Sequence, residues 1–194
     1  MIEAETGVVT QSQEVTLLQA AANEDSSAYE QFMLRYERLV FRLAYLLLRD
    51  TRRATEVARR TFLRGYASLE TVTSSESIVS WLLRKVLEDP AVHQWRTASS
   101  ARVVAAFADP LQFAPEVAVV LGPQNRAVLN GLTVLLHEDQ LLLYLRYFLE
   151  LDFSDVAQIV GRTEADVSAR FNPVLRQLES LLAGAALPGD DPAP

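Results

Sequence analysis

Arg162, Ser168, Arg170 and Arg176 follow a small residue at Ala157 and a glycine at Gly161, with an apolar anchor at Val167 among them. This spacing is that of a helix-turn-helix: the small residue lets two helices touch, the glycine makes the turn, and the anchor seats the second helix. The chemistry on offer is recognition rather than bond-making. Guanidinium groups neutralise phosphates, while short side chains at the start of the second helix reach base edges in a major groove. Arg162, Thr163, Glu164, Asp166, Ser168, Ala169, Arg170 and Arg176 are so placed. Asp166 also fits a capping box with Thr163, where its charge is favourable at a helix N-terminus.

Charge opposes this reading. Over residues 128–183 four arginines meet eight acids, a net of −4. Phosphate neutralisation supplies most non-specific affinity for nucleic acid, so such a balance argues against tight duplex binding. The whole chain of 194 residues carries 25 acids and 18 bases, −7 overall. Residues 1–96 hold 12 basic and 13 acidic side chains, and the remainder 6 and 12, so the helix-turn-helix lies in the more acidic half. A local basic patch can still act within a Debye length of roughly 8–10 Å.

Catalysis has no foothold in the sequence. His93 and His137 lie far apart and neither belongs to a metal-binding spacing. There is no Gly-rich phosphate loop and no nucleophile elbow, and the absence of cysteine rules out disulfides and thiolate metal sites. No cofactor or metal is expected, and the chain is not expected to be an enzyme. The N-terminus shows no signal pattern, and no apolar run reaches the ~18 residues that a membrane helix needs. A cytoplasmic protein without membrane contact is the expectation.

The elements that would position these residues are helices. Phe32, Tyr36, Leu39, Val40, Leu43, Ala44 and Leu47 form one continuous face at the 3.6-residue period. Ser27 and Glu30 fit a capping box opening that helix. Further helices are expected at about 13–22, 52–69 and 80–87, the last with Trp81, Leu82 and Val86 inward, and Pro90 should end or kink it. Residues 71–77 read as a polar loop. In the second half Leu141, Leu142, Leu145, Phe148 and Leu149 give a helix face. Ser154 should cap a short helix to about Val160, and Thr163 a longer one to about Leu182, kinked at Pro173. The fold expected is all-α: two helical bundles joined by a linker, the second containing the helix-turn-helix. Its parts are a disordered N-terminus (1–11), a first helical domain (12–96), a linker (97–126), the second domain (127–183) and a disordered tail (184–194). In the linker, the apolar segment 103–107 could pin the two domains together.

Two blocks carry a family resemblance. Arg35-Tyr36-Glu37-Arg38-Leu39-Val40-Phe41-Arg42-Leu43-Ala44-Tyr45, the stretch Ala54 to Tyr66 and Trp81-Leu82-Leu83-Arg84 resemble the core-polymerase-binding and −10-reading domain of extracytoplasmic-function (ECF) sigma factors. Leu145-Arg146-Tyr147-Phe148 and Asp155-Val156-Ala157-Gln158-Ile159-Val160-Gly161 resemble the family's −35-reading helix-turn-helix.

The resemblance implies a sigma factor directing RNA polymerase core to promoter DNA in transcription initiation, with an anti-sigma factor as a further partner. Polymerase contact would fall to Glu56, Arg59, Arg60, Phe62 and Leu63. DNA contact would fall to Arg84, Lys85, Trp95 and Arg96 at the −10 side, and to Arg162, Ser168, Arg170 and Arg176 at the −35 side. Departures from the family are concentrated at charged positions. Arg53, Arg59 and Arg60 replace acids or amides, Glu88, Asp89 and Pro90 stand where bases or amides are usual, and Ser168 replaces lysine. These departures keep a second reading open: a sigma-like protein that has lost promoter reading and works as an anti-sigma decoy or polymerase accessory. A third is a helical module with no role in transcription. Continuous basic stripes would favour the promoter reader, and arginines isolated among acids the decoy.

Overall fold

The computed structural model describes residues 18, 20, 26–69, 72, 77–97, 132 and 135–185, with side chains of 96, 97 and 181–185 excepted. The expected linker, the termini apart from residues 184 and 185, the first helix apart from two residues, and most of the 71–77 loop lie outside them. Among the described residues the chain is helical, with no strand. The helices are α1 (Ser26–Leu48), α2 (Thr51–Tyr66), α3 (Ile78–Leu87), α4 (Pro90–Thr97), α5 (His137–Leu143), α6 (Phe153–Val160) and α7 (Glu164–Ala185). A π-helical turn, Tyr144–Phe148, continues α5.

The apolar face of α1 is buried as its period dictates. Val40, Leu43 and Ala44 are fully covered, and Phe32, Tyr36 and Leu47 nearly so. Burying side chains of the Val, Leu or Phe class stabilises by about 1.5–3 kcal/mol each. Ser27 lies inside the helix, which begins at Ser26, so it is a first-turn residue and not the expected cap. Arg49 ends α1 in the left-handed region (φ 53), and the Asp50 side chain then caps α2 by accepting from the Arg53 amide at 2.8 Å. α2 packs closely on α1. Gly65 sits where a Cβ would meet the Trp81 ring at 3.3 Å, so a bare backbone lets α2 approach α3.

Several boundaries differ from the sequence expectation, each for a local reason. α3 starts at Ile78 because Ser77 caps it, accepting from the Ser80 amide at 3.4 Å. Pro90 opens a helix: α3 ends at Leu87, and the ring's fixed φ and missing N–H suit the first position of α4. Asp152, rather than Ser154, caps α6 by accepting from the Asp155 amide at 2.7 Å. α7 continues through Pro173 and on to Ala185, which takes Gly184 and Ala185 out of the expected tail. Gly161 adopts φ 69 between α6 and α7, and Thr163 and Asp166 form the expected capping box, 3.1 Å from the Asp166 amide to the threonine oxygen and 2.6 Å between side chains.

The two halves of the chain are packed together. α6 lies against α3, and the buried Ser80 hydroxyl donates to the Asp155 carboxylate at 2.8 Å. The Ser77 amide donates to Gln158 Oε1 at 3.2 Å. Arg42 donates to the Phe148 carbonyl, Arg49 donates to the Tyr144 hydroxyl at 2.9 Å, and Trp95 meets His137 edge-on with centroids 4.7 Å apart.

Candidate nucleic-acid interface

Two arginines of the helix-turn-helix converge on α5. Arg170, on the second turn of α7, donates through Nε to Asp139 Oδ1 at 2.6 Å and meets Glu138 Oε2 at 3.1 Å. Arg162, in the turn itself, reaches the same Glu138 oxygen at 3.4 Å. Asp139 is buried, whereas the Glu138 side chain is 54% exposed. Hydrogen bonding to Asp139 raises the Arg170 pKa above its ordinary value, opposed by burial and aided by the charges of Asp139 and Glu138. Ser168 is half-buried, and Arg176 is exposed one turn and a half further along α7. Two of the three helix-turn-helix arginines expected to touch DNA are therefore held by carboxylates.

The residues expected at the −10 side are arranged differently. Arg84 and Lys85 are half-buried on α3, and Lys85 pairs with Glu88 at 3.3 Å. Trp95 is a core residue, 9% exposed against His137, so its ring is not presented to a base. The side chain of Arg96 lies outside those described. Trp81 is core, as its apolar spacing indicated. Arg84 and α7 face one another across a cavity of about 250 Å³, which Arg162, Arg170, Glu88, Glu138 and Asp166 also line.

The charge departures on α2 acquire a structural cause. Asp89 is wholly buried, and Arg60 grips it through Nε and Nη2 at 2.8 and 3.0 Å, while Arg64 donates to it at 3.1 Å. Asp89 also accepts from the Ala91 amide at 2.9 Å, which caps α4. It is therefore not an acid presented to DNA, as its sequence position suggested. Burial pushes its pKa up, but the Arg60 hydrogen bonds, the Ala91 amide and the Arg60 and Arg64 charges outweigh this and hold it below the ordinary 3.8. Arg60 also touches Glu56 at 3.1 Å, and Arg59 pairs with Glu56 at 2.8 Å. Phe62, expected on the polymerase-facing surface, is buried; it meets Phe32 edge-on and its carbonyl accepts from Tyr29. Leu63 is the residue of this group that stands out, 57% exposed, with Tyr66 at 44% beside it on the helix. Tyr66 was not singled out as a contact; its place three residues after Leu63 was the available signal.

The fold and its turn define an all-α protein with a helix-turn-helix in its second half, and comparison with known proteins narrows that class. No family model matches the chain. The ECF RNA polymerase sigma factor SigK of Mycobacterium tuberculosis is 23% identical over 171 residues, covering 86% of this chain and 91% of its own. The RNA polymerase sigma-H factor of Pseudomonas aeruginosa is 20% identical over 193 residues, 92% of this chain and all of its own. The structure of CnrH in complex with the cytosolic domain of CnrY shares the fold with TM-score 0.66 and 17% identity, covering 88% of this chain and 97% of CnrH. In sequence the chain is similar to ECF sigma factors, and in fold it is similar to CnrH.

Proposed function

We propose that this chain is a sigma factor that directs RNA polymerase core to promoters in transcription initiation, acting in the cytoplasm and by binding rather than catalysis. The observation that carries this reading is the alignment of curated sigma factors over 86–92% of the chain, through both helical blocks in order. In this reading residues 12–96 form the polymerase-binding and −10-reading domain, 97–126 the linker and 127–183 the −35-reading domain. Leu63, flanked by the Glu56–Arg59 pair and by Tyr66, meets the polymerase. Arg84, Lys85 and Arg96 serve the −10 side, and Arg162, Ser168, Arg170 and Arg176 the −35 side. A second protein partner, of the kind whose cytosolic domain is bound to CnrH, would act as an anti-sigma factor.

One observation favours the alternative, a sigma-like protein that no longer reads promoters. The basic residues form no continuous stripe among the described residues: Arg162 and Arg170 are paired with Glu138 and Asp139, and Lys85 with Glu88. We favour the sigma factor because the Glu138 side chain that holds Arg162 is 54% exposed, and ion pairs of that kind are weak, about 0–1 kcal/mol, and can be exchanged for phosphate.

The test is co-purification of the tagged chain with bacterial RNA polymerase core, followed by selection of bound fragments from a genomic library with and without the chain. A stable complex with core that enriches a common upstream motif is expected. Failure to bind core would overturn the reading. Core binding with no enriched motif would favour the alternative.

A further inference from the structure

We propose that Glu138 is an electrostatic restraint on the recognition helix: one exposed carboxylate that holds Arg162, shares Arg170 with Asp139, and must release Arg162 before it can meet a DNA phosphate. The inference deepens the promoter-reading function proposed above, and concerns the strength of that contact.

The two acids of α5 differ in what they do. Asp139 is buried and holds Arg170 through Nε at 2.6 Å, from a helix 31 residues away in sequence. It seats α7 on α5, and the packing of these helices depends on it. Glu138 contributes little of this kind. It stands 54% exposed at the first turn of α5, and its Oε2 is shared between Arg170 at 3.1 Å and Arg162 at 3.4 Å. Shared geometry of this sort, near water, gives little stability. Its electrostatic consequence is larger. Arg162 and Arg170 together with Glu138 and Asp139 sum to zero charge, and Glu164 and Asp166 add two more acids at the start of α7. Duplex affinity grows with each phosphate that a protein neutralises, because each one releases condensed counterions. With Glu138 in place the turn and the second turn of α7 offer no net positive charge. Without it, Arg162 becomes available while Arg170 stays seated on Asp139.

The fold therefore carries the acidity of the second domain partly as a device. An arginine pair is kept in the right place but discharged, so contact with DNA away from a promoter is penalised. A site must supply enough phosphate and base contact to displace one carboxylate.

The experiment compares the full chain with Glu138→Gln, which preserves shape and hydrogen-bonding reach but removes the charge. Binding to a fluorescein-labelled mixed-sequence duplex is followed by anisotropy across a salt series. Glu138→Gln is expected to bind several-fold more tightly at low salt, with a log-log salt slope steeper by about 0.9, one additional phosphate contact. Adding Arg162→Gln should abolish both gains. Glu37→Gln, an exposed acid of α1 outside both proposed DNA surfaces, is the control for a general change in net charge. A gain equal to that of Glu37→Gln, or an unchanged salt slope, overturns the inference, as does absence of duplex binding by every variant. Promoter reading is judged separately by the library selection with core, so its failure is distinguishable from failure of the restraint.

Discussion

The Ser80 hydroxyl donates to the Asp155 carboxylate at 2.8 Å, joining two helices 75 residues apart in the chain. Ser80 is wholly buried on α3, the helix that carries Arg84 and Lys85, and Asp155 lies on the first helix of the helix-turn-helix. The bond thus ties α3 to the helix-turn-helix, and the Ser77 amide to Gln158 repeats the tie one turn away. A hydrogen bond to a charged partner is worth about 1.5–3 kcal/mol. Ser80→Ala removes the donor with the least change of volume. It should weaken the contact between halves by about that amount, with an increased radius of gyration in small-angle scattering and unchanged helix content by circular dichroism. An unchanged radius would mean that other contacts, Arg42 with Phe148 foremost, hold the halves together.

Asp89 should make the first bundle acid-sensitive. Its carboxyl is held below its ordinary value of 3.8 in the folded chain, because Arg60, Arg64 and the Ala91 amide outweigh the burial that would raise it. A depressed carboxylate stabilises fully above its unfolded pKa, and that stabilisation is lost as pH falls through the folded value. The wild-type chain should therefore lose stability below about pH 4. Asp89→Asn should lose about 3 kcal/mol at neutral pH, the low end of the range for breaking a buried pair, since Arg60 and Arg64 retain some solvent. The difference between the two chains should shrink as pH falls. Urea midpoints at pH 3 and pH 7 measure it, and a difference that stays constant would dismiss the clamp.

Residues that obey a local period or a local cap were legible in the sequence. Val40, Leu43 and Trp81 were assigned inward from spacing and are buried, and Thr163 with Asp166 was recognised as a box because both partners lie in four residues. Asp89 and Trp95 were not legible. Each looks like a surface contact beside Glu88 and Arg96, and each is satisfied by a group distant in sequence: Arg60 at 29 residues for Asp89, His137 for Trp95. Arg59 and Arg60 looked like reversed contact charges for the same reason, since sequence shows the charge but not the acid that absorbs it. Capping failed where several candidates competed. Asp152, Ser154 and Asp155 all suit the start of α6, and only the backbone geometry selects Asp152.

His137 should give the junction of the halves a second pH dependence, nearer neutrality. Burial lowers its pKa from the ordinary 6.5, and its Nε2 is covered with no hydrogen-bond partner beside the Trp95 ring. The folded chain resists protonating it more than the unfolded chain does. Its contribution is therefore present above about pH 6.5 and is lost as pH falls through the lowered value. Thermal midpoints should drop between pH 7 and pH 5.5 in the wild type, and less in His137→Leu, which keeps an apolar contact with Trp95. Equal slopes in the two chains would assign the change to another group.

Leu63 and Phe62 are neighbours on α2 with opposite roles, and their substitutions should separate binding from folding. Phe62 is buried against Phe32, so Phe62→Ala should cost about 3–5 kcal/mol of stability through the cavity it leaves. Leu63 projects from the same helix with more than half its surface in water, and an exposed leucine near Tyr66 gains nothing in the free chain. Buried under a partner, it would contribute apolar area at the centre of the contact. Leu63→Glu should leave the melting temperature within a degree or two of wild type, as surface changes usually do. It should weaken core polymerase binding at least tenfold, about 1.4 kcal/mol, in a titration with labelled chain. Unaltered affinity would move the polymerase contact off this face of α2. A lowered melting temperature would show that Leu63 packs within the bundle after all.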